Sequence, residues 1–488
     1  SSVVYVGIGR SAAAVADATP NGNSVPQFPP SSSPCEVYIL LGTEALQNGN
    51  ASSAIAIFRR GTRYHPHEAS LWKNYAAALA TQWQLQPLAE KTDANYCEAS
   101  ASAGLALRLG HMDSEKFLQA LDSLMSRRSA TPSCPHDNVV DFLKPVNDIR
   151  REASSAREPG ASIDGERYIE AIRDACSADN ISIGLTEEEL QSEQLYATTI
   201  HNIVSVFDAC GVVALTNVYS SSQIDEAALA QTEHFYEQSA RSEQMSAIGG
   251  RGVEVKRRGS VLRQEITCPL AKPFTQLTSS SMVLQTARQI LQSTNVELDT
   301  FSYIQSEPGS SLQSWHVDMG PLVDNDRAES SIILPAYGLV MVVPFIDLDS
   351  SNGPTEFIPG SHVPPTAIKG GDESFWHDAK TGKANSKAPT VALNLQIGSA
   401  LLFDIRTTHR GGANESPTSR PILYASYFKE WFTDRVNFAG RQSRWWNELG
   451  EERDGLAKEK LYSRIDSRQY TKMLEDMLRE RGVDIKEL

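Results

Sequence analysis

The chain has 488 residues, 40% of them hydrophobic and 22% charged. That is room for two or three domains with cores of their own, in the composition of a globular protein. A formal charge of −15 and a pI near 5.2 argue against a nucleic-acid partner, because no basic surface offsets them. The run Lys256-Arg257-Arg258 reads as a solvated loop. No apolar run approaches the ~20 residues that span a bilayer. Cys35, Cys97, Cys134, Cys176, Cys210 and Cys268 show no C-x-x-C spacing, so neither a zinc pattern nor a dense disulfide framework is visible. This favours a reducing compartment and leaves one or two disulfides open. The chain begins with Ser, which leaves removal of a targeting peptide open, with the cytoplasm or an organelle lumen as the expected compartment. The terminal Ile485-Lys486-Glu487-Leu488 lacks the acidic residue of a retention signal and reads as an ordinary chain end.

In chain order, residues 1–34 are rich in Ser, Ala and Pro and cannot bury enough surface to order alone, which predicts a flexible or docked arm. Helical periodicity follows over 35–130. Tyr38, Leu41, Gly42, Ala45, Ala54, Phe58, Gly61 and Pro66 fall at the diagnostic positions of the tetratricopeptide repeat, which the segment resembles. Ala45 and Gly61 depart from its consensus. Trp72 restarts the pattern with Tyr75, Ala76 and Leu79, and its second helix is expected over Cys97–Leu109. Ser114–Ser126 reads as a third helical stretch. Two repeats are few for a free-standing solenoid. They pack on the rest of the chain or on a second copy, or they form a peptide-binding groove. His111-Met112-Asp113 is an H-x-D triplet between two helices, where Asp113 suits a helix N-cap rather than a metal. Residues 131–190, with Pro132, Pro135, Pro145 and Pro159, read as a linker with some helix around Gly165–Ala178.

From 191 to 435 strands come to dominate. Leu195–Cys210 has helical spacing, a strand led by Gly211 follows, and serines cap a further helix. Strands are expected over Leu298–Ser306, Gln313–Val317, Gly338–Phe345, Val391–Leu395, Ala400–Phe403 and Ile422–Phe428. Within them lie Trp315-His316-Val317-Asp318, then Asn352-Gly353-Pro354-Thr355-Glu356-Phe357-Ile358-Pro359-Gly360-Ser361-His362, then His409, then Arg420. Two neutral imidazoles and one carboxylate on one face hold iron(II) and leave three positions open. His316, Asp318 and His409 fit that arrangement. Arg420 opens an apolar strand, and a guanidinium buried there needs an anion, either a ligand or a structural partner. Tyr303 and Gln305 alternate with Ile304 on the strand before the H-x-D and share a face, which makes them candidates for contact with a co-substrate. Trp315 and His362 read as structural. Loops 246–265, with Arg251, Arg258 and Arg263, and 319–337 are expected to border the pocket; the arginines suit either an anionic substrate or simply a solvated loop.

These motifs resemble the phytanoyl-CoA dioxygenase family over roughly 195–435. The resemblance implies a core that is a double-stranded β-helix of jelly-roll or cupin-like form. With the N-terminal helical repeat region the chain reads as α+β, and residues 436–488, which alternate charged and apolar positions at helical spacing, read as a C-terminal helical cap. It implies Fe(II), 2-oxoglutarate and O2 as cofactors. His316, Asp318 and His409 would be the iron ligands, and Arg420 the partner of the distal carboxylate of 2-oxoglutarate. Related halogenases carry Gly or Ala in place of the carboxylate, so Asp318 implies oxygen insertion or another outcome of hydrogen abstraction. Three readings follow: a hydroxylase of an unactivated C–H bond in a small molecule, a protein hydroxylase recruiting a polypeptide through the repeats, and an interaction protein with an inert oxygenase fold. A homodimer through the helical regions stays open.

Overall fold

Apolar positions recur with helical period in the first quarter of the chain and with strand period beyond residue 295, and the elements follow that division. The computed structural model of the chain describes residues 34–86, 93–125, 134–155, 162–247, 256–257, 262–269, 271–320, 333–369, 371–372, 374–378 and 380–432. The expected arm lies outside the described residues except for Pro34, and the expected C-terminal helices over 436–488 lie wholly outside them. The chain divides into two compact units, residues 1–135 and 136–488.

The first unit is a succession of helices: α1 (Pro34–Gln47), α2 (Ala51–Tyr64), α3 (Ala69–Leu85), α4 (Asp93–Arg108) and α5 (Asp113–Met125). Each packs on the next. Asn50 caps α2 by accepting the Ser53 N–H at 3.0 Å. A Cβ on Gly42 would lie 2.4 Å from the Phe58 ring, so glycine is what lets α1 and α2 close to this distance. Trp72, Tyr75, Ala76 and Leu79 are buried on α3, the face their spacing predicted. Asp113 of the H-x-D triplet opens α5 and meets Lys116 at 3.6 Å.

The second unit begins with α6 (Pro135–Ser155), α7 (Gly165–Ala175), β1 (Ser182–Gly184) and α8 (Glu187–Ser192), followed by α9 (Ala197–Cys210), β2 (Val212–Thr216) and α10 (Ser221–Ala247). Much of the stretch expected to link the domains is therefore built structure, and β1 pairs in parallel with β2. Lys256 and Arg257 form the edge strand β3 (Lys256–Arg257) rather than a loop. Then come β4 (Arg263–Thr267), α11 (Lys272–Thr278), α12 (Ser281–Leu291), β5 (Val296–Ser306), β6 (Gly338–Pro344), β7 (Thr355–Phe357), β8 (His377–Asp378), β9 (Lys383–Ala384), β10 (Val391–Ala392), β11 (Ala400–Asp404), β12 (His409–Gly411) and β13 (Arg420–Lys429).

Eight strands form one sheet in the order β1-β2-β11-β6-β13-β5-β4-β3, and β10-β7-β12 form a second. The large sheet is mixed, because β1–β2 is parallel while its other pairs are antiparallel. It is also open rather than closed into a barrel. Phe357 of β7 meets Phe403 of β11 across 5.1 Å, which ties the small sheet to the large one. Every residue of β6 is buried, as a central strand covered on both faces requires.

Four cysteines pair into two disulfides, within the one or two that the scattered spacing left open. Cys97 on α4 joins Cys134, and Cys176, the C-cap of α7, joins Cys210, the last residue of α9. The pairs are 37 and 34 residues apart. Tertiary proximity creates such long-range pairs, and short-range Cys motifs do not reveal them.

Candidate metal centre

His409 is placed by β12, whose register sets it opposite Phe357. It lies at 6% exposure among Phe357, Phe403 and His316, with ring centroids 6.0, 4.7 and 4.5 Å away. His316 belongs to no strand. The Gln313–Val317 segment expected as one pairs only through an isolated bridge, with His316 N–H donating to His409 O at 3.0 Å and His409 N–H to His316 O at 2.9 Å. Its polar Gln313 and Ser314 are occupied elsewhere: the Gln313 side chain accepts the Gly411 N–H at 2.7 Å, and the Ser314 carbonyl serves the His316 ring.

That bond fixes tautomers. His316 Nδ1 lies 2.8 Å from Ser314 O, and His409 Nδ1 lies 3.0 Å from Thr407 O. A carbonyl only accepts, so each Nδ1 carries the proton and each Nε2 lone pair is left for a metal. Asp318 Oδ2 is 3.7 Å from His409 Nε2 and accepts the Tyr424 hydroxyl at 2.7 Å. One ligand atom from each of His316, Asp318 and His409 lies within 4.8 Å of the others. Burial, with repulsion from His316, pulls His409 down to about 4 against the opposing pull of Asp318. The imidazole is therefore neutral at physiological pH, the form a metal needs. Two neutral nitrogens and one carboxylate oxygen are a borderline donor set that suits iron(II) and leaves positions open for other ligands. Among the described residues this is the one such cluster, and the triplet at 111–113 takes no part in it.

Arg420 begins β13 at 1% exposure. It donates from Nη2 to Ser306 Oγ at 2.7 Å and from Nη1 to the Gly353 carbonyl, while its buried Nε has no partner. Burial, with repulsion from Arg263, lowers it to about 9. Arginine stays protonated at such a value, so the depression expresses a cation held without a neutralising charge. Gly353 explains part of the Asn-Gly-Pro motif. Its φ is +75°, and a Cβ there would lie 2.2 Å from the Ala413 carbonyl, a backbone approach open to glycine alone. Asn352 fastens the same turn, donating to Asp347 O at 2.8 Å and accepting Asp349 N–H at 3.1 Å.

Tyr303 and Gln305 do not join this site. Strand alternation puts them on the face opposite Ser302, Ile304 and Ser306, and α10 and α11 cover that face. The Tyr303 hydroxyl meets His234 Nδ1 at 3.1 Å and its ring stacks on Phe274, while Gln305 accepts the Gln231 side chain at 2.7 Å. Alternation had correctly paired the two residues but not told which face looks inward. His362 is buried, its Nε2 3.1 Å from the Asp208 carbonyl, away from the cluster. Trp315 is buried too, with the Arg410 guanidinium 4.4 Å over its ring. Two residues the sequence reading did not assign to the site are Ser306 and Tyr424. Arg251 and Arg258 lie outside the described residues, as does 321–332 of the second expected pocket loop.

Residues 207–422 match the family model described as phytanoyl-CoA dioxygenase (PhyH). Dioxygenase aneA of Aspergillus aculeatus is 29% identical over 121 residues, which is 24% of this chain and 35% of that protein. The chain thus spans about a third of the length of this curated relative. Among solved structures, the non-heme alpha-ketoglutarate-dependent epimerase SnoN from nogalamycin biosynthesis shares 18% identity over 47% of this chain and 80% of its own, with a TM-score of 0.31. AviO1 from Streptomyces viridochromogenes Tue57 shares 16% over 47% of this chain and 95% of its own, with a TM-score of 0.35.

Proposed function

We infer, from residues 207–422 being a dioxygenase domain of the phytanoyl-CoA dioxygenase family, that this chain oxidises an unactivated C–H bond of a small molecule, most simply by hydroxylation. The observation that carries the reading is the meeting of His316, Asp318 and His409 within 4.8 Å, in a unit whose large sheet buries Arg420 with no counter-ion among the described residues. On this reading the large and small sheets are the two faces of a double-stranded β-helix. When bound, iron(II) and 2-oxoglutarate supply the redox chemistry that divides O2 between a substrate C–H bond and the oxo acid, which leaves as succinate and CO2.

The chain's own residues do the rest. His316 and His409 present Nε2 because the Ser314 and Thr407 carbonyls hold their Nδ1 protons. Tyr424 donates to Asp318 Oδ2, which fixes the carboxylate's orientation. Arg420, buried at the start of β13, would hold the distal carboxylate of 2-oxoglutarate. Phe357 and Phe403 keep water from the inner side of His409.

The test is succinate formation from 2-oxoglutarate by the purified chain with and without ferrous iron. Succinate is expected only with iron, and Asp318→Ala should lower it by at least about 100-fold, beyond the usual effect of losing an outer-sphere partner. Full output from Asp318→Ala would refute the ligand assignment. The helical unit at 34–125 favours a second reading, a protein side-chain hydroxylase that recruits its polypeptide there. An inert binding fold would have no use for a complete donor set with both histidine tautomers fixed.

A further inference from the structure

Arg420 is one of two uncompensated cations at the same spot. Arg263 on β4 and Arg420 on β13 both lie opposite Ser306 of β5, one from each side. Ser306 Oγ accepts Arg263 Nε at 3.1 Å and Arg420 Nη2 at 2.7 Å. The second partner of each guanidinium is a backbone carbonyl, Gly412 O for Arg263 Nη2 at 2.6 Å and Gly353 O for Arg420 Nη1. Both side chains are 1% exposed. Arg263 Nη1 and Arg420 Nε are buried and unpartnered. Among the described residues no carboxylate offsets either charge. Burial lowers Arg263 to about 10, and Arg420 feels burial and then Arg263 itself. Two like charges fixed side by side by dipoles alone are unfavourable unless an anion joins them.

We propose that Arg263 is a second co-substrate arginine, and that it and Arg420 hold the distal carboxylate of 2-oxoglutarate between them. This rests on the dioxygenase reading above. Each terminal nitrogen of Arg420 has one hydrogen taken, by Gly353 and by Ser306, while its Nε–H is unpartnered, as is Arg263 Nη1. The two guanidiniums grip one carboxylate between them, Arg420 Nε and Arg263 Nη1 each donating to one of its oxygens. Ser306, shared by the two, sets their spacing. A keto acid without a second carboxylate would leave both cations uncompensated, so the pair selects for a dianionic co-substrate.

The experiment is calorimetric titration of the full chain, loaded with Mn(II) without oxygen, using 2-oxoglutarate and 2-oxopentanoate. The second keeps the keto acid end and lacks the distal carboxylate. Arg263→Gln is expected to weaken 2-oxoglutarate by about 30-fold or more, the scale of truncating one partner of a buried charge pair, and to leave 2-oxopentanoate unchanged. Equal weakening of both acids, or of neither, overturns the proposal. Arg263→Lys keeps the charge and protects the fold but loses the planar fork. It should lie between wild type and Arg263→Gln for 2-oxoglutarate alone, and wild-type affinity in it also overturns the proposal. Wild-type protein that binds neither keto acid would refute the dioxygenase reading itself. Wild-type protein that binds 2-oxoglutarate as tightly as both variants refutes only the role of Arg263.

Discussion

His409 ties function to acid sensitivity at a single ring. Its folded value of about 4 lies below the ~6.5 of an unfolded histidine, so between these values the unfolded chain binds the extra proton. Stability is therefore fully present above about 6.5 and is lost as pH falls towards 4. The loss from this one group is about 3 kcal/mol in the metal-free protein. His362, also buried and held well below its usual range by burial, adds in the same direction. Urea melts of metal-free protein at pH 7 and pH 4.5 check this, and equal stability at the two values would contradict the neutral, buried placement of both rings. At this scale the sequence was legible where a residue type is chemically scarce, as for His316, Asp318 and His409, whose ligand atoms meet in one cluster, and for Arg420, which is buried at the start of a strand. It was not legible at Tyr303 and Gln305, because period-two alternation groups residues by face without saying which face the helices cover. Arg263 carried a signal that could have been read: with Glu265 and Thr267 it makes a polar file along a strand, and a polar file facing inward must meet a ligand or a partner.

Among elements, α7 and α9 are joined by Cys176–Cys210 at the point where the chain enters β2. Closing a loop of 34 residues removes unfolded-state entropy worth about 3–4 kcal/mol. Cys176→Ser is expected to lower unfolding free energy by about that amount, seen as a shift in denaturation midpoint that reductant does not increase further at this bond. An unchanged midpoint would show that the pair adds nothing. Strand positions were largely legible, since β5, β6, β11 and β13 lie within two residues of the apolar runs that announced them. Gln313–Val317 was not, because its backbone bonds go to single positions, Gly411, Gly382 and His409, and no ladder forms. The disulfides were illegible for a different reason, since the chain carries each cysteine more than thirty residues to its mate.

Across the whole molecule, the donor cluster, both arginines and Ser306 all fall in the unit of residues 136–488. A chain lacking residues 1–135 is expected to bind 2-oxoglutarate as the full chain does, by calorimetry. Loss of substrate-driven succinate with co-substrate binding intact would assign the helical unit to substrate recruitment, while intact substrate turnover would count against the protein-hydroxylase reading. Within the catalytic unit the donor set is held by parts of unequal stability. His409 sits in a strand under two aromatic rings, whereas His316 and Asp318 ride on a segment fastened by a few main-chain bonds, the paired amides of His316 and His409 foremost. Such a segment can open locally at far less cost than the sheet behind it. A metal spanning the two parts acts as a latch: it raises the global unfolding free energy as any native-state ligand does, and it should also slow solvent exchange of the amides of residues 313–319, which open locally in the apo protein.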